Sequence, residues 1–409
     1  MGRNKKWDGY TSWNYLEPDL DYPVFPLEPQ VDRVAKIWGG PKYDFGLSKT
    51  QEERVEELIE KNIIISLHEH LDVGAAGPTP ARRRSFKAYE GLAFSGLDGV
   101  FDNCVCSTFE NVVNFVGMSQ CDYAHQGFVI PALKAEDITR AFKEGKVAVI
   151  QTVEQASAID RDIDKVDLLY GLGIRSMGVV YSESNTLGSG LKELGDGGLT
   201  DVGYDAVKRM NKTGIIVDVS HAGSRTAMET VEASDKPILI SHCGSRTLTN
   251  NARMLPDDVL QACAEKDGVV GVEVAGFAPR TKKHPEASIE CLLEHAEYLI
   301  DLLGVDHVGA GPDSMYADHA KSYRGGAPVG TVIRPSGRGH YTRPRPADMP
   351  ETFDSAEMVR NLDYVKGLES PSDFTNIARG LVRDGYSDQE IAKVMGINGL
   401  RVIKACWVK

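Results

Sequence analysis

Two short β-branched runs, 215–219 and 237–240, lead into the same dipeptide, Ser220-His221 and Ser241-His242. A stretch with helical pattern separates them, SRTAMETVEAS, so the two histidines recur at the interval of a strand–helix–strand unit. Parallel strands joined by one helix run in the same direction, and both histidines therefore emerge at one sheet edge. In a (β/α)8 barrel that edge is the C-terminal face, where the βα loops build the active site.

The rest of the chain supplies the missing strands. Apolar, β-branched runs occur at 63–67, 98–106, 146–154, 173–182, 268–275 and 306–313. With the two Ser-His strands they make eight. Helical periodicity fills gaps between them, at 135–144, 202–212, 256–266 and 288–303. Eight strands alternating with helices predict an α/β fold, a closed TIM-type (β/α)8 barrel rather than an open sheet. A helix from about Ser48 precedes the first strand, with a capping box expected at Thr50 and an apolar stripe of Val55, Leu58 and Ile59. Ser387 or Asp388 is the expected N-cap of a helix near the C-terminus.

Two segments depart from this alternation. Residues 1–50 hold Trp7, Trp13 and Trp38 with several tyrosines and prolines, and read as an extended arm packed on the barrel or on a neighbouring subunit. A Gly/Pro/Arg-rich stretch at 314–355 follows the eighth strand and is expected to lie over the barrel mouth as a lid. Residues 51–409 are then one barrel carrying that insertion.

The strand ends carry a ligating set. His68 and His70 end the first strand and, by alternation, face the same side. Glu154 ends the third, His221 the fifth, His242 the sixth and Asp313 the eighth. Four imidazoles and two carboxylates suffice for two divalent ions, with a carboxylate such as Glu154 between them. Zinc suits this donor mixture best, with manganese, iron and cobalt also open. Two such ions lower the pKa of a shared water and polarise an amide or ester carbonyl. Asp313 is placed to accept the water's proton and pass it to a leaving group.

Composition narrows the field. A net charge of −13 argues against nucleic acid and anionic membrane as partners. The N-terminus lacks the apolar segment of a secretory signal, and no apolar run is long enough to span a bilayer. Seven cysteines, an odd number without a CxxC pair, suggest neither a disulfide framework nor a zinc knuckle. Cys104 and Cys106 read as buried free thiols, and a cytoplasmic location is expected.

Three segments, GGLTDVGYDAVKRMNKTGIIVDVSHAG, SDKPILISHCGSR and DHVGAGPD, resemble the membrane (renal) dipeptidases of the amidohydrolase superfamily. The resemblance runs from about residue 60 to the C-terminus, interrupted by the 314–355 insertion. It implies a zinc-dependent hydrolase in which Glu154 bridges the ions and His221 and His242 hold the second one. It also implies that Arg253, in NNARMLPDD, binds the substrate carboxylate. Tyr181, in VVYSESN, falls near the scissile carbonyl and would support the tetrahedral intermediate. One motif departs: the family's first motif is His-x-Asp, whereas this chain has His68-Glu69-His70, similar to the phosphotriesterase-like lactonases.

These readings converge on a homo-oligomeric amide hydrolase acting through metal-bound hydroxide on a small dipeptide-like or N-acyl amino acid substrate with a free carboxylate. A lactonase or phosphoesterase, a mononuclear zinc decarboxylase and a non-catalytic binding protein are the competing readings. Asp313 and Tyr181 are the expected catalytic residues. Arg253 and Tyr181 are expected to bind substrate, and His68, His70, Glu154, His221, His242 and Asp313 to hold metal.

Overall fold

The computed structural model describes residues 43–71, 87, 89–125, 127–274, 280–315 and 365–408. The proposed arm, apart from its last residues, and nearly all of the proposed lid lie outside the described residues.

Among the described residues, ten strands form one parallel sheet: β1 (Ile65–His70), β2 (Gly99–Cys104), β3 (Val129–Pro131), β4 (Val147–Val153), β5 (Ser176–Gly178), β6 (Ile216–Asp218), β7 (Leu239–Cys243), β8 (Val269–Val272), β9 (Val308–Ala310) and β10 (Ser314–Met315). Eight of them run in the order β1-β2-β4-β5-β6-β7-β8-β9, a nearly closed (β/α)8 barrel. The last strand is split. Its first half, β9, pairs with β8, whereas its second half, β10, crosses to β1 with Glu69 opposite Ser314. The Asp313 amide donates to the His68 carbonyl (3.2 Å), which draws the two ends of the sheet together. Glu69 locks that seam: its buried carboxylate accepts from the Ser314 amide (2.9 Å) and hydroxyl (2.7 Å) and from the Ser66 hydroxyl (2.9 Å).

Two expectations need adjusting. β3 was not foreseen; it is only three residues long and pairs with the start of β4, off the barrel's path. The first helix, Lys49–Lys61, is capped two residues earlier than expected, by a Ser48–Gln51 box rather than at Thr50. Val55, Leu58 and Ile59 are its buried stripe, as the periodicity predicts. At the other end, Ser387 caps the helix that starts at Asp388, reciprocally with Glu390.

The barrel is a packed core below and a polar mouth above. Ile65, Leu67, Phe101, Ala148, Ile150, Ile216, Leu239 and Val269 form one apolar cluster with Leu400, Val402, Ile403 and Trp407 near the C-terminus. Burying each of the larger aliphatic side chains stabilises the fold by roughly 1.5–3 kcal/mol. The C-terminal helix, Asn398–Cys406, thus packs against inward-facing strand residues, and Asn398 donates to the carbonyls of Val305 (2.7 Å) and Val308 (2.8 Å). No helix among the described residues is long and apolar enough to cross a membrane.

Cys104 and Cys106 are joined in a disulfide, which corrects the expectation of free thiols. Alternation along one strand keeps residues two apart on the same side, and β2 ends at Cys104, so the chain can turn the second sulfur back to the first. Cys243, Cys263, Cys291 and Cys406 are buried free thiols.

Candidate metal centre

The six proposed ligands come from five barrel strands, and the structure brings them together. Glu154 is central. Its Oε1 lies 3.0 Å from Nε2 of both His68 and His70, and its Oε2 lies 3.8 Å from Nε2 of His221. Asp313 Oδ1 stands 3.4 Å from His68 Nε2 and 3.3 Å from His70 Nε2. His221 Nε2 is 3.0 Å from His242 Nε2. Donor atoms of His68, Glu154, His242 and Asp313 all lie within 4.8 Å of one another, a group able to hold a metal ion. Tyr181 stacks on His221, with ring centroids 4.1 Å apart.

Local chain geometry produces this convergence. β1 and β7 each shift register against a neighbour at their histidines, between Ser66 and Glu69 and between Ile240 and Cys243. Such irregularities re-aim side chains at barrel rims. His221 and Asp313 both sit in the left-handed region, with φ of 67° and 57°. Non-glycine residues are uncommon there and the conformation costs energy, which the surrounding structure must hold. Two glycines allow close approach: a Cβ on Gly178 would meet the Glu154 carbonyl at 2.0 Å, and one on Gly311 would meet the Ser241 carbonyl at 1.9 Å.

A polar layer behind the histidines fixes their rings. Ser241 Oγ donates to the Asp218 carboxylate and lies 2.7 Å from His242 Nδ1 and 3.3 Å from His68 Nδ1. Ser220 Oγ accepts from the His242 amide (3.1 Å). The serines of the two Ser-His pairs therefore serve the histidines as a scaffold. His70 Nδ1 faces the Asn103 carbonyl at 3.2 Å, which leaves Nε2 pointing to the centre. Asp218 and Asn103 were not singled out in the sequence; Asp218 carries a signal only through its position two residues before Ser220.

Electrostatics divide the site. Burial opposes a charge on His68, but the Glu154 and Asp313 carboxylates outweigh it and carry the imidazole up to about 9. His70 is likewise raised against its burial by Asp313 and Glu154. Those histidines in turn overcome burial to hold Glu154 and Asp313 well below the carboxylate range. His221 and His242 go the other way. Burial, with Arg253 adding repulsion, holds both far below the usual imidazole range. The Glu154 oxygens and His68 Nε2 remain buried with no hydrogen-bond partner. Such clustered, orphaned acceptors fit a divalent cation, which satisfies them at once.

Arg253 does not point to open solvent. It is 4% exposed and ion-paired with Glu273, which is fully buried at the end of β8. Glu273 was missed in the sequence because a lone glutamate after an apolar strand carries no motif.

A family model described as membrane dipeptidase (peptidase family M19) matches residues 108–321. The chain belongs to the M19 membrane dipeptidase family. Among M19-like relatives, the dipeptidase tcpJ of Claviceps purpurea is 26% identical over 67% of this chain, and that match spans only 54% of the relative's own length. An uncharacterized protein of Acinetobacter calcoaceticus is 31% identical over 49% of this chain and 68% of its own. In fold, the chain is similar to an amidohydrolase from Pseudomonas aeruginosa (TM-score 0.70, 25% identity, covering 86% of this chain and 99% of the other). It is also similar in fold to a metallopeptidase from Rhodobacter sphaeroides liganded with a phosphinate mimic of the dipeptide L-Ala-D-Ala (TM-score 0.62, 20% identity, covering 85% and 100%). The strand-end cluster thus lies at the C-terminal face of an M19-type barrel.

Proposed function

We propose that this chain is a divalent-metal-dependent hydrolase that cleaves the amide bond of a small dipeptide-like or N-acyl amino acid substrate. The observation that carries the reading is Glu154, whose two oxygens face opposite halves of the donor set: His68 and His70 on one side, His221 on the other. Two divalent ions would be held there, one by His68, His70 and Asp313 and one by His221 and His242, with Glu154 serving both. Zinc fits the imidazole and carboxylate donors best. When bound, such ions acidify a coordinated water and polarise a carbonyl.

The chain's own residues do the remaining work. Asp313, held unprotonated beside the cluster, accepts a proton from the attacking water and delivers it to the departing amine nitrogen. Tyr181, stacked on His221, positions the scissile carbonyl from the β5 side. Asp218, Ser241 and Asn103 keep the imidazoles oriented so that their Nε2 atoms converge.

The test is release of free amino acid from a panel of dipeptides and N-acyl amino acids by zinc-loaded protein. Turnover should vanish on chelation and return with zinc. Hydrolysis of lactones or phosphotriesters with none of the amides would overturn the reading.

A further inference from the structure

Arg253 and Glu273 form a buried ion pair beside the metal centre. Both are fixed by the same strand: Cys243 of β7 accepts through its carbonyl from the Glu273 amide (2.9 Å), and its Sγ reaches the Arg253 carbonyl (3.6 Å). The Arg253 amide also donates to the Asn251 side chain (2.9 Å). The Val274 amide donates to the Pro312 carbonyl (3.2 Å), so Glu273 sits between Cys243, which follows His242, and Pro312, which precedes Asp313. The Arg253 guanidinium, in contact with Glu273, is thereby held beside these two strand ends.

The pair is matched in charge but not in hydrogen bonds. Nη2 of Arg253 meets Oε2 of Glu273 within the pair, whereas Nη1 of Arg253 and Oε1 of Glu273 have no hydrogen-bond partner, despite burial of both side chains. A donor and an acceptor of this kind are costly to leave unsatisfied in an interior. A substrate carboxylate answers the donor alone. It would place two anions on one cation, or displace Glu273 and strand a buried carboxylate without counter-charge. An amide group answers both: its carbonyl accepts from Arg253, its N–H donates to Glu273, and the net charge is unchanged.

We infer that Glu273 makes this a site for substrates whose far end is a neutral amide, a carboxamide or a further peptide bond, rather than a free carboxylate. The inference rests on the hydrolase reading for its catalytic consequence, and within that reading it favours dipeptide-like substrates with an amidated or extended end over N-acyl amino acids and free dipeptides.

The test compares alanyl-alanine with alanyl-alaninamide, in both configurations of the second residue, on the zinc-loaded full chain and on Glu273→Gln. Wild type is expected to show at least tenfold higher kcat/KM for the amide. Glu273→Gln, with Arg253 released from its counter-charge, is expected to gain at least tenfold on the free acid and to invert the ratio. A wild type that prefers the free acid overturns the inference, and that comparison decides it even if the variant does not fold. Binding of the two compounds by titration calorimetry separates the two readings. Should neither compound nor any other dipeptide be hydrolysed, the hydrolase reading fails, and tighter binding of the amide or of the acid still supports or overturns the role of Glu273.

Discussion

His221 Nε2 and His242 Nε2 face each other at 3.0 Å, although 21 residues separate them in the chain. Burial keeps both imidazoles neutral, so each presents a lone pair to the same small space. Two neutral imidazoles converging this closely would supply half of the proposed ligand set, with Glu154 between it and the other half.

Metal content follows directly. Protein purified without chelator is expected to hold about two divalent ions per chain by elemental mass spectrometry, and Glu154→Gln to fall to about one or fewer, because Glu154 serves both halves. Full occupancy in Glu154→Gln would remove the bridging role.

The layer behind the ligands should matter nearly as much as the ligands. Ser241 touches two histidines and Asp218 anchors Ser241. Ser241→Ala and Asp218→Asn are each expected to weaken metal affinity about 10–100-fold, the usual cost of losing such partners. Competition with a chromogenic chelator measures this, and unchanged affinity in both variants would show that the network is dispensable.

The left-handed backbone at His221 gives a stability prediction independent of catalysis. In metal-free protein, His221→Asn should be more stable than His221→Val by about 1–2 kcal/mol, because asparagine tolerates positive φ and a β-branched residue does not. Urea denaturation of the two variants is the measurement; equal midpoints would mean the backbone relaxes at no cost.

Close packing at Gly311 predicts a coupled loss. Its added methyl would press on the Ser241 carbonyl, so Gly311→Ala should destabilise the fold by about 1–3 kcal/mol and lower metal content as His242 shifts. Wild-type denaturation and metal content in this variant would show the contact to be compliant.

A pH effect should arise far from the metal centre. Burial, with Glu369 adding repulsion, pushes the Asp373 carboxyl up to about 7, against an unfolded value of about 4. Between those values the native state holds the proton more tightly than the unfolded chain. Asp373 therefore lends stability below about pH 4 that is lost as pH rises through about 7. Asp373→Asn removes that loss, so its melting temperature relative to wild type should be higher at pH 8 than at pH 5. A pH-independent difference in thermal scans would contradict the shift.

Much of this protein is legible in its residues. Hydrophobic runs of strand length, spaced by helical periodicity, are local patterns, and eight of them specify the barrel and the face at which His68, His70, Glu154, His221, His242 and Asp313 emerge. Tertiary structure decided what local patterns cannot encode. The split of the last strand across the barrel seam depends on Glu69 finding Ser314, 245 residues away. The disulfide depends on how the chain turns after β2. The state of Arg253 depends on Glu273, a residue with no motif of its own that meets the guanidinium only because β8 lies beside β7. Periodicity fixes which strands exist and which way they point, since it reflects the backbone of a few residues at a time. Which charges end up paired is set by distances between strands, and those exist only once the barrel has closed.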